Sequence, residues 1–232
     1  MRDSPSARLC RIILTFILVI VAITSFLLGS IPFGYLLVRI FRGEDVRKTG
    51  SGNIGATNVA RTGSKGLAIA TLLLDALKGY VAVGFAEWIP DHLAIPVSPD
   101  SHATTVVVDP HLTYILAALA GIFVILGHMF TPWLGFKGGK GVAAAVGAFA
   151  AIAPRAVLVS LALFVLIVAI TRYVSLGSIV GAAVFPVAAY WIYPAMRNVA
   201  VMSLIGLSSL LIIIRHHSNI RRLVAGNENR LW

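Results

Sequence analysis

Residues 141–171 read GVAAAVGAFAAIAPRAVLVSLALFVLIVAIT and decide how many membrane spans the sequence predicts. As one helix this stretch would be about 46 Å long, which exceeds the roughly 30 Å hydrocarbon core of a bilayer. Pro154 stands near its middle, where a proline breaks a helix because it lacks an N–H and clashes with the preceding turn. We therefore predict a short helix over 141–153, followed by a full span over 154–171.

The rest of the chain is also apolar. Hydrophobic residues make up 58% of it and charged residues 12%, with a mean hydropathy of +0.91, whereas soluble domains carry about 25% charged residues. The composition predicts an all-α integral membrane protein with a single domain over residues 1–232. The first apolar run lacks a convincing cleavage site, so we expect a retained helix and not a signal peptide. The other spans, which bring the count to seven transmembrane helices, are 12–33, 66–88, 111–131, 173–193 and 195–214.

Seven spans place three polar, glycine-rich segments on one side of the membrane: 42–65, 131–140 and the tail from residue 215. Most Lys and Arg residues lie on that side, whereas the outside connection 91–109 has none. The positive-inside rule therefore predicts a cytoplasmic C-terminus and an N-terminus outside, although Arg2, Arg8 and Arg11 favour the opposite orientation. The net charge of +10 is explained equally well by this topology and by a site for anions. We do not expect nucleic acid as a partner.

The first polar segment contains GSGNIGATNVAR over residues 50–61. Its glycines allow the backbone to approach a ligand closely, and its amide and hydroxyl side chains can hydrogen-bond that ligand. An arginine adds a planar fork that suits phosphate. A flexible connector is the alternative interpretation. The predicted substrate-binding residues here are Ser51, Asn53, Asn58 and Arg61.

The second polar segment contains FKGGKG over residues 136–141, directly before the short helix. A helix N-terminus with exposed N–H groups and a neighbouring lysine is a ready anion site. The spacing does not fit a Walker A loop, which needs Ser or Thr after the lysine and a preceding strand. We predict that the glycines leave backbone N–H groups free to bind a phosphate. The predicted site consists of Lys137, Gly138, Gly139, Lys140 and Gly141.

The tail begins with RHHSNIRRL over residues 215–223. His216 and Asn219 share one face if the last helix continues, and they could contact a phosphate or an ester. Binding of the basic tail to anionic lipid is the alternative. Cys10 is the single cysteine and the tail lacks further ligands, so we expect no metal site.

The roles of three other groups of residues stay open at this point. Asp75 and Lys78 lie three residues apart within a span, where ionisable residues indicate either function or an ion pair that holds the bundle. His128 at the end of the third helix fits a simple helix-end residue. Ser175 and Ser178 start a helix on the shared side, which makes at least one of them a plausible ligand.

Together with GSIPFGY, LDALKG, LGHMF and RYVSLGS, these motifs resemble the bacterial membrane glycerol-3-phosphate acyltransferases that use acyl phosphate, the PlsY family. The resemblance covers nearly the whole chain and implies a multi-pass monomer in the cytoplasmic (inner) membrane, without cofactor or metal, whose active site faces the cytoplasm. It implies acyl transfer from acyl phosphate to glycerol 3-phosphate, giving 1-acyl-glycerol 3-phosphate and phosphate in phospholipid synthesis. Ala144 departs from the family's usual Thr. The catalytic residues that the resemblance implies are Lys140, Ser178, His216 and Asn219.

Two other functions are compatible with a polytopic protein that binds anions. A membrane transporter or channel for an organic phosphate would place its site near the midplane, whereas these motifs lie at one surface. The second alternative is a lipid-binding scaffold that catalyses no reaction. Acyltransferases that use His-x-x-x-x-Asp are excluded, since no histidine here has Asp five residues on.

Overall fold

The computed structural model describes residues 5–92 and 110–231. Those residues form ten α-helices and no β-strand, which confirms the predicted all-α class. Most of the outside connection 91–109 falls beyond the described residues. The helices are α1 (Pro5–Gly29), α2 (Phe33–Arg42), α3 (Ala56–Ala60), α4 (Lys65–His92), α5 (Pro110–Met129), α6 (Val142–Ile152), α7 (Pro154–Thr171), α8 (Val174–Ile192), α9 (Val199–Arg215) and α10 (His217–Val224).

Several of these helices are long and apolar enough to cross a bilayer. Within the described ranges five spans qualify: α1 with α2, α4, α5, α7 and α8. Helix α9 makes a sixth if it is counted together with α10, which is bent from it by 55°. Helix α6 has 11 residues and a length of about 16 Å, so alone it reaches only half-way through a hydrocarbon core. The chain is thus a multi-pass membrane protein.

The predicted break at Pro154 is confirmed. Helix α6 ends at Ile152, and Ala153 leaves the helical region with φ −140° and ψ 55°. Pro154 is the first residue of α7, where its missing N–H costs no helical hydrogen bond and its fixed φ suits the helix.

Two predicted spans have different ends in the structure, and the short helices α2 and α3 were not predicted. The first span was expected to run to residue 33, but α1 ends at Gly29 and α2 begins after Pro32. The last span begins at Val199 and not at residue 195, because Asn198 caps α9 by accepting the N–H of Ala200 at 2.9 Å.

Glycines bring two pairs of helices into direct backbone contact. A Cβ atom on Gly79 of α4 would collide with the carbonyl of Ala144 in α6, and one on Gly147 would collide with that of Ala76. Helices α1 and α5 meet in the same way at Gly127. Small residues of this kind allow close helix packing in membranes. The α4–α6 contact places the first turn of α6 beside the middle of α4.

Candidate active site

A cavity of about 620 Å3 lies at the end of the bundle where α4, α6 and α8 begin and α9 ends. Three chain segments close it: the loop before α3, the loop before α6, and the tail after α10. Five lining side chains are cationic and two are carboxylates, so the cavity suits anions. These charged residues are Arg61, Lys65, Lys140, Arg222 and Arg230, with Asp75 and Glu228.

The first loop is organised around Asn58, whose side chain is 2% exposed. Its amide donates to the carbonyls of Val46 at 2.9 Å, Thr49 at 3.0 Å and Asn53 at 2.7 Å. Its Oδ1 accepts the N–H of Ser51 at 2.9 Å and lies 3.2 Å from the Ser51 hydroxyl. Since all its polar atoms are used, Asn58 shapes the loop instead of presenting free groups to a ligand.

The remaining first-loop residues also border the cavity. Asn53 Oδ1 accepts the N–H of Gly55 at 2.9 Å and so starts the short helix α3. Arg61 follows α3, lines the cavity, and forms no ion pair within the part of the chain that the structure describes. Its guanidinium adds a positive charge to this side of the cavity.

Backbone N–H groups in the glycine-rich loop before α6 form hydrogen bonds within the protein that were not predicted. Gly138 N–H donates to Met129 O at 3.1 Å and Gly139 N–H to His128 O at 2.9 Å. Because the end of α5 provides these carbonyls, the two N–H groups are not available to a phosphate, contrary to the expectation that glycine frees them. Lys137 is exposed and lies outside the cavity lining.

The free N–H groups at the start of α6 lie a few residues further along. The N–H groups in the first turn of α6 have no carbonyl one turn earlier to bind, and Gly141, Val142 and Ala143 line the cavity. Gly141 adopts φ +82°, a conformation that favours glycine. Arg215 links the loop to the end of α5, since its Nη2 donates to Gly139 O at 3.4 Å and to Met129 O at 3.1 Å. Sequence analysis assigned Arg215 no role.

Lys140 projects from this loop into the cavity. Its Nζ donates to Asn219 Oδ1 at 2.6 Å. Burial is the main reason why the pKa of Lys140 is lowered from 10.5 to about 8. Lys140 is therefore mostly cationic at neutral pH and stands next to the first N–H groups of α6, so both make this part of the cavity positive.

His216 is 2% exposed and lies at the bend between α9 and α10. Its Nδ1 lies 2.8 Å from the carbonyl of Ile212, which can only accept, so Nδ1 carries the proton and Nε2 presents a lone pair. Burial lowers the pKa of His216 to about 4, although the hydrogen bond to Ile212 acts in the opposite direction. The imidazole is neutral at pH 7 and is a weak base.

The tail folds back over the cavity and brings in Glu228, which sequence analysis missed. Its Oε1 accepts from Asn219 Nδ2 at 2.6 Å and from the Ser175 hydroxyl at 2.8 Å, and Oε2 accepts from Arg222 Nε at 2.7 Å. Burial raises the pKa of Glu228, but the hydrogen bonds from its three partners outweigh it and lower the pKa overall. Leu231 N–H donates to Arg172 O at 2.9 Å and ties the tail to the turn between α7 and α8.

The cavity brings together nine of the residues predicted for the site. Ser178 is among them, with its hydroxyl donating to Val174 O at 2.9 Å within α8. The turn at His216 replaces the continuous helix that was expected, yet His216 and Asn219 both reach the cavity. The nine are Ser51, Asn53, Asn58, Arg61, Lys140, Gly141, Ser178, His216 and Asn219. Glu228 could have been found from the sequence, because it is the single acidic residue in the basic tail.

The fold and the cavity define an integral membrane protein with a polar, cationic site at one end of its helix bundle. The family model for glycerol-3-phosphate acyltransferase matches residues 19–226. Glycerol-3-phosphate acyltransferases of Mesorhizobium japonicum and Geobacter sulfurreducens are 42% and 43% identical, covering 94% and 91% of this chain and 98% and 96% of the relatives. The chain belongs to the glycerol-3-phosphate acyltransferase family and is an acyltransferase.

Two solved structures are similar to this one throughout. The crystal structure of PlsY, an integral membrane glycerol 3-phosphate acyltransferase, in its glycerol 3-phosphate form has a TM-score of 0.76 and 34% identity. Its lysophosphatidic acid form has a TM-score of 0.74 and 33% identity. Each comparison covers 92% of this chain and 94% of the other.

Proposed function

We propose that this protein transfers a fatty acyl group from acyl phosphate to glycerol 3-phosphate. The observation that carries the proposal is the single cavity in which Lys140 and the first turn of α6 stand opposite the first loop with Arg61. Two phosphorylated substrates need two anion sites side by side, and these two groups supply them. Similarity to PlsY structures in glycerol 3-phosphate and lysophosphatidic acid forms supports this acceptor and product. It does not favour a transporter.

The donor's hydrocarbon chain has an apolar route beside the polar cavity. A cleft of about 70 Å3 lies between α6, α7 and α8. It shares Val142, Phe164 and Ser178 with the polar cavity, so an acyl phosphate could place its carbonyl at this boundary. This junction supports a donor that is apolar at one end and anionic at the other.

In the proposed reaction the acceptor's hydroxyl oxygen attacks the acyl carbon. The bond from that carbon to the phosphate oxygen breaks, and the hydroxyl proton ends on the released phosphate. An acyl phosphate is an activated anhydride, so positioning and charge stabilisation supply most of the acceleration. Lys140 and the α6 N–H groups stabilise the departing phosphate. With its lowered pKa, His216 orients a substrate by hydrogen bonding and does not act as the base.

The topology proposed for this enzyme has seven membrane segments, with α6 as the short one. The N-terminus lies outside and the C-terminus in the cytoplasm, so the cavity opens to the cytoplasm of a bacterial inner membrane. We expect one domain that works as a monomer without a metal or cofactor. Basic residues on the cavity side support this orientation, and the relatives are bacterial proteins.

The test is acylation by the purified protein in detergent micelles. Radiolabelled glycerol 3-phosphate and palmitoyl phosphate should give lysophosphatidate and phosphate in equal amounts, while palmitoyl-CoA as donor should give no product. Labelled phosphate uptake into proteoliposomes tests the transporter alternative. Uptake without acyl transfer would overturn the proposal.

A further inference from the structure

Asp75 is a buried carboxylate that the proposed reaction does not yet use. It lies in α4, is 2% exposed, and lines the same cavity as Lys140 and His216. Its position is set by helix packing: Gly79, one turn later in α4, touches Ala144 in the first turn of α6. Asp75 therefore lies beside the N-terminus of α6, where a phosphate is proposed to bind.

Two buried partners hold Asp75 in place from the protein side. Lys78 Nζ lies 2.8 Å from Asp75 Oδ1, and His128 Nδ1 lies 3.5 Å from the same oxygen. Lys78 Nζ also donates to Ile31 O at 2.8 Å and lies 3.0 Å from His128 Nδ1, so it links α4 to α5 and to the connection between α1 and α2. These contacts fix the carboxylate rigidly.

The carboxylate still has unused capacity to accept hydrogen bonds. Lys78 occupies Oδ1 through the ion pair, whereas no hydrogen bond or ion pair within the described residues reaches Oδ2. A carboxylate accepts and does not donate, and a buried one that lacks donors is costly. Oδ2 of this cavity-lining residue therefore suits a hydrogen-bond donor that enters the cavity.

The chemistry of the two substrates identifies that donor. Phosphate oxygens and an acyl carbonyl only accept hydrogen bonds, whereas the glycerol part of the acceptor carries hydroxyl donors. Lys78 already balances the charge of Asp75, which suits a hydroxyl that keeps its proton. We propose that Asp75 accepts a hydrogen bond from the 2-hydroxyl of glycerol 3-phosphate, with Lys78 and His128 as its positioning residues. This inference rests on the proposed function and makes Asp75 the residue that recognises the acceptor as a glycerol derivative.

The experiment compares glycerol 3-phosphate with 3-hydroxypropyl phosphate, which lacks the 2-hydroxyl. A hydrogen bond to a charged group is worth about 1.5–3 kcal/mol, so kcat/KM of the unmodified protein should be roughly 10- to 100-fold lower with the analogue. In Asp75→Asn the amide oxygen faces Lys78 and the NH2 group faces the cavity. That variant should lose about tenfold or more with glycerol 3-phosphate, and less than about threefold with the analogue.

The ratio between the two acceptors separates recognition from folding. A structural role for Asp75 would lower both activities equally and leave the ratio unchanged, which would overturn the inference, as would equal use of both acceptors by the unmodified protein. If Asp75→Asn does not fold, Asp75→Asn/Lys78→Met removes both charges and should still abolish the discrimination. The control is Thr71→Val, one turn away from Asp75. Thr71 is buried and its hydroxyl donates to Leu67 O, so this variant should still discriminate between the two acceptors. Acylation of neither acceptor by the unmodified protein would refute the proposed function itself.

Discussion

Replacing Lys140 by Ala is expected to abolish most activity while the protein stays folded. Lys140 Nζ is the cation beside the first turn of α6, and its one hydrogen bond within the described residues is to Asn219 at 2.6 Å. Removing one such stabilising group from an acyl-transfer site costs roughly 10²–10³ in kcat. We therefore expect kcat/KM for palmitoyl phosphate to fall by about that factor.

The same residue should not be needed for stability. A pKa of about 8 in the folded protein, against 10.5, means that folding disfavours the charged form by roughly 3 kcal/mol at pH 7. This cost is present below pH 8 and disappears as pH rises from the folded to the unfolded pKa. Lys140→Ala removes it, so its melting temperature in detergent at pH 7 should equal or exceed that of the unmodified protein.

The pH profile gives a second measurement on the same lysine. Lys140 loses its proton as pH rises through about 8, so kcat/KM should decline on the alkaline side of that value. Lys140→Arg keeps its charge and should lack this alkaline decline, whatever its absolute rate. Turnover of a folded Lys140→Ala sample at the unmodified rate would refute the assignment, and so would an identical alkaline decline in Lys140→Arg.

Three further predictions follow from the site and the topology. Arg61→Lys keeps the charge but loses the planar fork, so KM for glycerol 3-phosphate should rise by about tenfold with little change for acyl phosphate; equal increases for both substrates would contradict it. His216→Gln should retain a tenth or more of kcat and the same profile between pH 5.5 and 7.5, because the pKa of His216 is about 4, whereas a loss near a thousandfold would indicate a general base. In a Cys10→Ser background, Leu9→Cys should react with an impermeant maleimide on intact cells, and Asn227→Cys only after permeabilisation.

The sequence alone was sufficient for the all-α, multi-pass membrane class and for most of the segments that line the cavity. Hydropathy, which is a local property, locates the apolar segments but not the ends of α1 and α9. The break at Pro154 follows from the missing N–H of proline. The glycine-rich loops were predicted to bind ligands because their composition is unusual between apolar helices. The family resemblance predicted a glycerol-3-phosphate acyltransferase, and the comparisons confirm that family.

Partners within the site were decided by the tertiary structure. Whether Gly138 and Gly139 offer their N–H groups to a phosphate depends on the position of the end of α5, which the sequence of the loop does not contain. Glu228 meets Ser175 across 53 residues because the tail returns to α8, and Asp75 reaches the cavity because glycine lets α4 lie against α6. Hydrophobic patterning fixes which residues enter the membrane, but hydrogen bonds and ion pairs between distant segments depend on helix packing in three dimensions.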